Sequence, residues 1–376
     1  MLSLYVGLTI LLIGLYVYLI IYILDKWEAY TDYSQPISID PSLSLTLLIP
    51  ARNEAAHIKA CLESILASAA DIDNTLEIIV LDDHSEDATY AIANSIGDTR
   101  IKVIRLCDRI VNKNINAHKK MALAIGLQEA SMDYILQLDA DVRVGRPYLS
   151  VLLSALTNQK PDFIAGPVCL EGSSALQHFQ ALDMMGMMAV TAAGIESSKW
   201  HIANGANMLY KKDLVSFSDS QTASGDDVVT IQTLAAEGRK ILFLKSLDAT
   251  VYTAAMANLR EFYHQRIRWA TKNKYQSSLS MKVMMAIPFI NCLVILAHPF
   301  MAIWAGMVAW VLLGLHIMSK VMIDYIYLKS LSTFFGKEKA MGAFGYASVV
   351  YIFYIAIIGV ASLVVKKYTW KGREVT

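Results

Sequence analysis

Two hydrophobic patterns divide this chain. Residues 2–24 form an apolar run without a single charged side chain, longer than the roughly 20 helical residues that cross a hydrocarbon core. Two more apolar blocks lie near the other end, at 283–318, interrupted by His298-Pro299, and at 343–365. Between them the pattern shortens, with apolar runs at 43–49, 76–81, 101–106 and 134–138. These read as strands buried on both faces, as in a parallel sheet. Pro50 ends the first, because proline has no amide for a ladder. Helices are predicted at 54–67, where Ile58, Cys61, Leu62, Ile65 and Leu66 share one face. Others run from a cap near Ser85 to about Ile96, and over 119–130. Strands alternating with helices imply right-handed crossovers and a mostly parallel, doubly wound sheet. The predicted fold class is therefore α/β with flanking transmembrane helices. A strand within 161–170, ending near Gly166-Pro167, and a charge-poor helix at 176–195 follow. Met184, Met185, Met187 and Met188 give that helix an adaptable surface, suited to core packing or to a membrane interface.

Composition sharpens this picture. The 376 residues are 55% hydrophobic and 18% charged, where about a quarter charged is usual. No small-residue cleavage site follows the first apolar run, and Asp25-Lys26-Trp27-Glu28 comes next, so the run is read as a retained anchor. The expected organisation is an anchor at 1–29, a globular domain at 43–275, a membrane region of two to three helices at 282–365, and a basic tail at 366–376. Lysine and arginine together balance aspartate and glutamate, 33 against 33, which excludes a nucleic-acid partner that needs a broad basic surface. Cys61, Cys107, Cys169 and Cys292 are far apart and suggest no disulfide framework, hence a reducing compartment. Lys26 follows a flank free of Lys and Arg, and the positive-inside tendency places the large domain in the cytoplasm. The segment with Lys320, Lys329, Lys337 and Lys339 and the tail with Lys366, Lys367, Lys371 and Arg373 are both basic. Both face the cytoplasm only if 283–318 forms a hairpin and the last helix is re-entrant or interfacial. Only His298 and His316 interrupt the later blocks with ionisable groups, which gives a transport pathway little support.

The candidate chemistry sits where strands end. Ligands of such sheets bind beyond the carboxyl ends of the strands, and three predicted ends carry polar clusters: Pro50-Ala51-Arg52-Asn53-Glu54, Asp82-Asp83 and Asp139-Ala140-Asp141. Asp139 and Asp141 point the same way from an extended strand. Their carboxylates suit Mg²⁺ or Mn²⁺ with diphosphate oxygens completing the shell, although Asp-x-Asp is also an ordinary strand-to-loop turn. Farther on, Gly205 in Asn204-Gly205-Ala206-Asn207 allows close backbone approach to a substrate. Asp226 and Asp227 follow Ser224-Gly225 at a helix start, where acidic residues also complement the macrodipole. Gln265, Arg268 and Trp269 lie at helical spacings. Arginine suits phosphate oxygens, and an indole offers a platform for a sugar ring; the same pair also collects at membrane surfaces.

In this order the motifs resemble those of the family 2 glycosyltransferases of the GT-A fold. The likeness is to the membrane-bound branch with ceramide glucosyltransferase-like enzymes and bacterial lipid or carotenoid glycosyltransferases. It covers roughly 43–269 and rests on Pro-x-x-Asn-Glu at Pro50, Val-x-Asp-Asp-x-Ser at Val80, Asp-x-Asp at Asp139, the acidic pair at Asp226, and Gln-x-x-Arg-Trp at Gln265. The resemblance implies Pro50, Ala51, Arg52 and Glu54 around a UDP- or GDP-linked sugar, with Asp83 accepting from the base. Lys119 stands in the family's Gly-Lys-x-x-Ala-Leu element, with His118 in place of the glycine. Asp139 would contact the nucleotide sugar, and Asp141 would be the principal ligand of Mg²⁺ or Mn²⁺. Asp227 or its neighbour Asp226 would be the base, Arg268 would support the leaving group, and Gln265, Trp269 and Gly205 would meet the acceptor. The implied activity is inverting transfer to a lipid-linked or hydrophobic acceptor at the cytoplasmic face of a bacterial inner membrane. A processive polysaccharide synthase and a non-catalytic scaffold of the same fold are the competing expectations.

Overall fold

The computed structural model describes residues 1–33, 38–109, 118–217, 225–271, 278–365, 368–370 and 373–375. In chain order the elements are α1 (Leu2–Ala29), β1 (Ser44–Ala51), α2 (Ile58–Ala69), β2 (Thr75–Asp82), α3 (Thr89–Ser95), β3 (Ile101–Arg105), α4 (His118–Glu129), β4 (Tyr134–Leu138), β5 (Arg143–Val144) and α5 (Tyr148–Gln159). There follow β6 (Phe163–Ala165), β7 (Val168–Glu171), α6 (Ala175–Ser197), β8 (Asn207–Lys211), α7 (Asp226–Ala236), β9 (Ile241–Phe243), β10 (Val251–Ala254) and α8 (Leu259–Ala270). Three long helices, α9 (Leu279–Ala305), α10 (Met307–Phe334) and α11 (Phe344–Val364), and a hairpin of β11 (Tyr368–Trp370) and β12 (Arg373–Val375) complete the chain. They form two compact units, a sheet unit of 31–170, 201–254 and 367–376, and a helical unit of 1–30, 171–200 and 255–366.

The sheet unit is built on seven strands in the order β3-β2-β1-β4-β8-β6-β9. β3, β2, β1 and β4 run parallel, and β8 is antiparallel to both β4 and β6. Leu45, Leu47, Leu48, Ile49, Ile78, Ile79, Val80, Leu81, Ile135 and Leu136 are all fully buried. That explains the largely apolar runs: helices cover both faces and shut these positions off from water, and each such side chain contributes about 1.5–3 kcal/mol. The register sets Ala51 beside Asp82 and Leu48 beside Gln137, and it pairs Leu138 with Asn207 at the start of antiparallel β8. The ends of β1, β2 and β4 and the entry to β8 therefore share one rim.

The single strand expected over 161–170 is two. Gly166 and Pro167 divide it, so that β6 joins the main sheet and β7 a three-stranded sheet ordered β5-β10-β7. The break has a physical cause: Pro167 offers no amide, and the Gly166 amide donates to the Asn207 carbonyl at 2.9 Å.

Among the described residues, the helical unit contains four helices long and apolar enough to cross a membrane, α1, α9, α10 and the stretch 338–364 ending in α11, which makes this a membrane protein. The 283–318 block is split at Gly306, whose φ of +55° lets the chain turn between α9 and α10. α10 continues past Met318 through Lys320 and Asp324, so the apolar block did not end where its hydropathy suggested. These two charges are paired with each other and with the Tyr16 hydroxyl of α1. On α6, Met184, Met185 and Met188 are buried and Met187 is 40% exposed. The basic tail's Lys366, Lys367 and Lys371, and Ser224 before the acidic pair, lie outside the described residues.

Candidate active site

At the shared rim, the loops after β1 and β2 are stitched together. The buried Arg52 guanidinium donates to the carbonyls of Asp83 at 2.9 Å and His84 at 2.8 Å. The Asp83 amide donates to the Ala51 carbonyl at 2.8 Å. The Asn53 amide donates to Ser85 Oγ and the Glu54 amide to Thr89 Oγ1. Arg52 thus shapes the loop that presents Asp83, and Asn53 and His84 take positive φ of 51° and 54° to make the two turns fit. The Asp83 carboxylate lies 2.9 Å from His84 Nδ1 and 3.3 Å from His118 Nδ1. These three side chains are close enough together to hold a metal ion. His118, the residue that departs from the family glycine, opens α4 and so places the next residue, Lys119, toward the end of β4.

Lys119 is the centre of the acidic cluster. Its ammonium donates to Asp139 Oδ1 at 2.8 Å. Burial alone would lower its pKa, but the charges of Asp139, Asp226 and Asp227 outweigh burial and raise it, so the ammonium keeps its proton at every physiological pH. Asp226 and Asp227, 4% and 6% exposed, open α7 behind Gly225 at φ +94°. The Asp226 carboxylate accepts from Gln137 Nε2 at 3.0 Å, and the same amide donates to the Gly205 carbonyl. The Asp227 carboxylate accepts from its helix's Val228 amide at 2.9 Å and from the Gly205 amide at 3.4 Å. A Cβ on Gly205 would stand 3.3–3.5 Å from Gln137, Lys119 and Asp226, so any side chain here would crowd the centre of the cluster. Burial, and then the charges of Asp141, Glu54 and Asp139, push the Cys61 thiol up.

The sheet unit thus brings together Pro50, Ala51, Arg52, Glu54, Asp83, Lys119, Asp139, Asp141, Gly205, Asp226 and Asp227. The carboxylates of Asp139 and Asp141 are hard oxygen donors of the type Mg²⁺ and Mn²⁺ prefer, and the excess of carboxylates around one lysine fits a bound divalent cation. The motif residues Gln265, Arg268 and Trp269 belong to the helical unit, on α8, all half-buried. The buried members of that motif are Arg266 and Ile267, the two positions it leaves unspecified. Gln137 and His84 were missed as well. Gln137 looks like a stray polar residue in an apolar run until its partner, 89 positions away, is known; His84, directly after Asp82-Asp83, was visible as a further ligand type.

The model of glycosyl transferase family group 2 matches residues 134–363, and that of glycosyl transferase family 2 matches 46–216. A dolichyl-phosphate beta-glucosyltransferase of Drosophila melanogaster is 30% identical over 149 residues, covering 37% of this chain and 44% of that protein. A poly-beta-1,6-N-acetyl-D-glucosamine synthase of Staphylococcus aureus is 25% identical over 244 residues, covering 62% and 55%. The chain thus spans about half the length of these relatives. Among solved structures, a mannosyltransferase from Pyrobaculum calidifontis in complex with GDP-Man and Mn²⁺ superposes with a TM-score of 0.58 at 17% identity, covering 93% of this chain and 97% of its own, which shows the shared fold. With a mostly parallel sheet bearing its acidic cluster at the strand ends, and a family match over more than half its length, the chain belongs to the family 2 glycosyltransferases of the GT-A fold.

Proposed function

We propose that this protein is an inverting glycosyltransferase that moves one sugar from a UDP- or GDP-linked donor to a lipid-linked or hydrophobic acceptor at the cytoplasmic face of a bacterial inner membrane. The observation that carries this reading is the gathering of Asp139, Asp226 and Asp227 around Lys119 at the rim of the sheet. In this reading Asp83 accepts a hydrogen bond from the base, with Pro50, Ala51, Arg52 and Glu54 forming the nucleotide's surroundings. Asp141, with Asp139, would hold Mg²⁺ or Mn²⁺, which when bound supplies positive charge for the departing diphosphate. Asp227 takes the proton of the acceptor hydroxyl, its oxygen attacks the anomeric carbon, and the bond to the diphosphate breaks on the opposite side. Asp226, braced by Gln137, keeps its neighbour's helix turn in place. The Gln265-x-x-Arg268-Trp269 motif is read as in the family, an arginine for phosphate oxygens and an indole for the acceptor.

The test is nucleotide-sugar hydrolysis by the purified chain with Mn²⁺ or Mg²⁺. Asp141→Ala and Asp227→Asn are expected to lower turnover by about 10²–10⁴-fold, the usual contribution of a positioned acid or base, with Asp226→Asn losing less. Equal rates in all variants, or donor binding indifferent to metal, would refute the reading. The likeness to a polysaccharide synthase over 62% of the chain favours processive synthesis as a second reading, which products many sugars long would establish.

A further inference from the structure

The helical unit holds a cavity of about 550 Å³, within the roughly 300–1,000 Å³ of ligand pockets. Side chains from α1, α6, α8, α9, α10 and α11 line it, and most are apolar, among them Leu19, Phe179, Met187 and Met284. Four of these helices are candidate membrane spans, so what fills the cavity comes from the bilayer. The lining contains two acidic and two basic side chains, Asp183, Asp324, Arg266 and Lys282. Asp324 is already matched by Lys320 and Tyr16.

The other buried pair is not satisfied. Arg266, 2% exposed, lies 3.1 Å from Asp183, itself 9% exposed, and its guanidinium rests against the rings of Trp269 at 4.2 Å and Phe262 at 5.0 Å. Yet Arg266 Nε and Nη2 and Asp183 Oδ2 make no hydrogen bond. A buried donor or acceptor left unmet is costly, so native proteins keep one where a ligand completes it. Burial raises the Asp183 pKa against the lowering effect of Arg266. The pair offers donors and an acceptor side by side at no net charge. A phosphate would set its negative charge against Asp183. A hydroxyl donates to Asp183 and accepts from Arg266.

We infer that this cavity seats a long-chain lipid whose head group is an uncharged hydroxyl, held by Arg266 and Asp183. The inference goes beyond the glycosyl-transfer reading: it assigns a bound lipid to the helical unit, distinct from the hydroxyl whose proton Asp227 takes.

The test uses the purified full-length chain in a detergent without a sugar head group, with dioleoylglycerol and dioleoyl phosphatidic acid as probes that share their tails. Bound lipid is counted by native mass spectrometry. The wild type is expected to retain dioleoylglycerol at least tenfold more strongly. Asp183→Asn removes the opposing charge and is expected to reverse the preference, which mere misfolding would not do. Met187→Trp, at a partly exposed lining position, is expected to exclude both lipids. Preference of the wild type for phosphatidic acid, an unchanged preference in Asp183→Asn, or undiminished binding in Met187→Trp would each overturn the inference. Donor hydrolysis is read separately: a wild type that hydrolyses donor but binds no dioleoylglycerol defeats this inference alone. One that binds it while the Asp141 and Asp227 variants hydrolyse as fast as wild type defeats the catalytic reading alone.

Discussion

Lys119 decides how the acidic cluster can exist without a cation. Several carboxylates brought this close repel one another, and a single ammonium bonded to Asp139 and near Asp226 and Asp227 offsets part of that repulsion. Lys119→Met removes the offset. Because Lys119 and Asp139 keep 23% and 37% of their side-chain surface exposed, water screens part of the loss, and a decrease of about 1–2 kcal/mol is expected. Thermal unfolding with and without Mn²⁺ checks this: the ion should raise the midpoint of Lys119→Met more than that of the wild type. An equal rise in both would mean that the lysine and the ion do not compete for the same oxygens. Asp83, Asp139 and Asp141 were legible in the sequence because each follows the end of a strand, a position that topology turns into a rim, and Asp226 and Asp227 because they open a helix. Gln137 and Arg266 were not, because each acquires its meaning from a carboxylate far away in the chain.

Elements were legible where one period dominates. The parallel strands β1, β2 and β4 are predominantly apolar and were found within two residues of their ends. In the region 161–171 the end of the first strand near Gly166-Pro167 was legible but the second strand was not, because two short strands of different sheets are joined there and both are buried. That joint is held by Asn207, whose Nδ2 donates to the carbonyls of Pro167 at 2.8 Å and Ala249 at 3.0 Å while its Oδ1 accepts from Tyr148. A Cβ on Gly166 would lie 2.2–2.5 Å from this pinned amide. Gly166→Ala must therefore displace Asn207 and leave buried carbonyls unmet, a loss of about 2–4 kcal/mol. Chemical denaturation measures it. Gly238→Ala is the control for backbone strain alone, since its φ is +72° with nothing within 4 Å of the added carbon, and it should cost less. If the two glycines behave alike, the crowding at Asn207 is not what fixes the joint.

At the scale of the whole chain, hydropathy located the membrane-spanning region but not the length of α10, because Lys320 and Asp324 made its second half read as a polar connection. The polar atoms are instead matched inside the helical unit. Lys320, 2% exposed, pairs with Asp324, its ammonium lies 3.2 Å from the Tyr16 hydroxyl of α1 and 4.4 Å from the centre of the Tyr351 ring of α11, and the Tyr16 hydroxyl donates to Asp324 at 2.6 Å. A second buried chain runs from Tyr5 through His298 to His316, joining α1 to α9 and α10. These contacts give the first helix, far away in sequence, specific partners among the last three, where apolar packing alone would not choose a rotation. Breaking one member should therefore be worse than removing the pair. Lys320→Met leaves a buried carboxylate without its cation, and a loss of about 3–5 kcal/mol is expected; Lys320→Met with Asp324→Leu leaves no buried charge and should recover most of it. Thermal inactivation of the single and double variants in the same detergent decides the matter. A double variant no more stable than Lys320→Met would show that the pair itself, rather than the avoidance of an unpaired charge, holds these helices together.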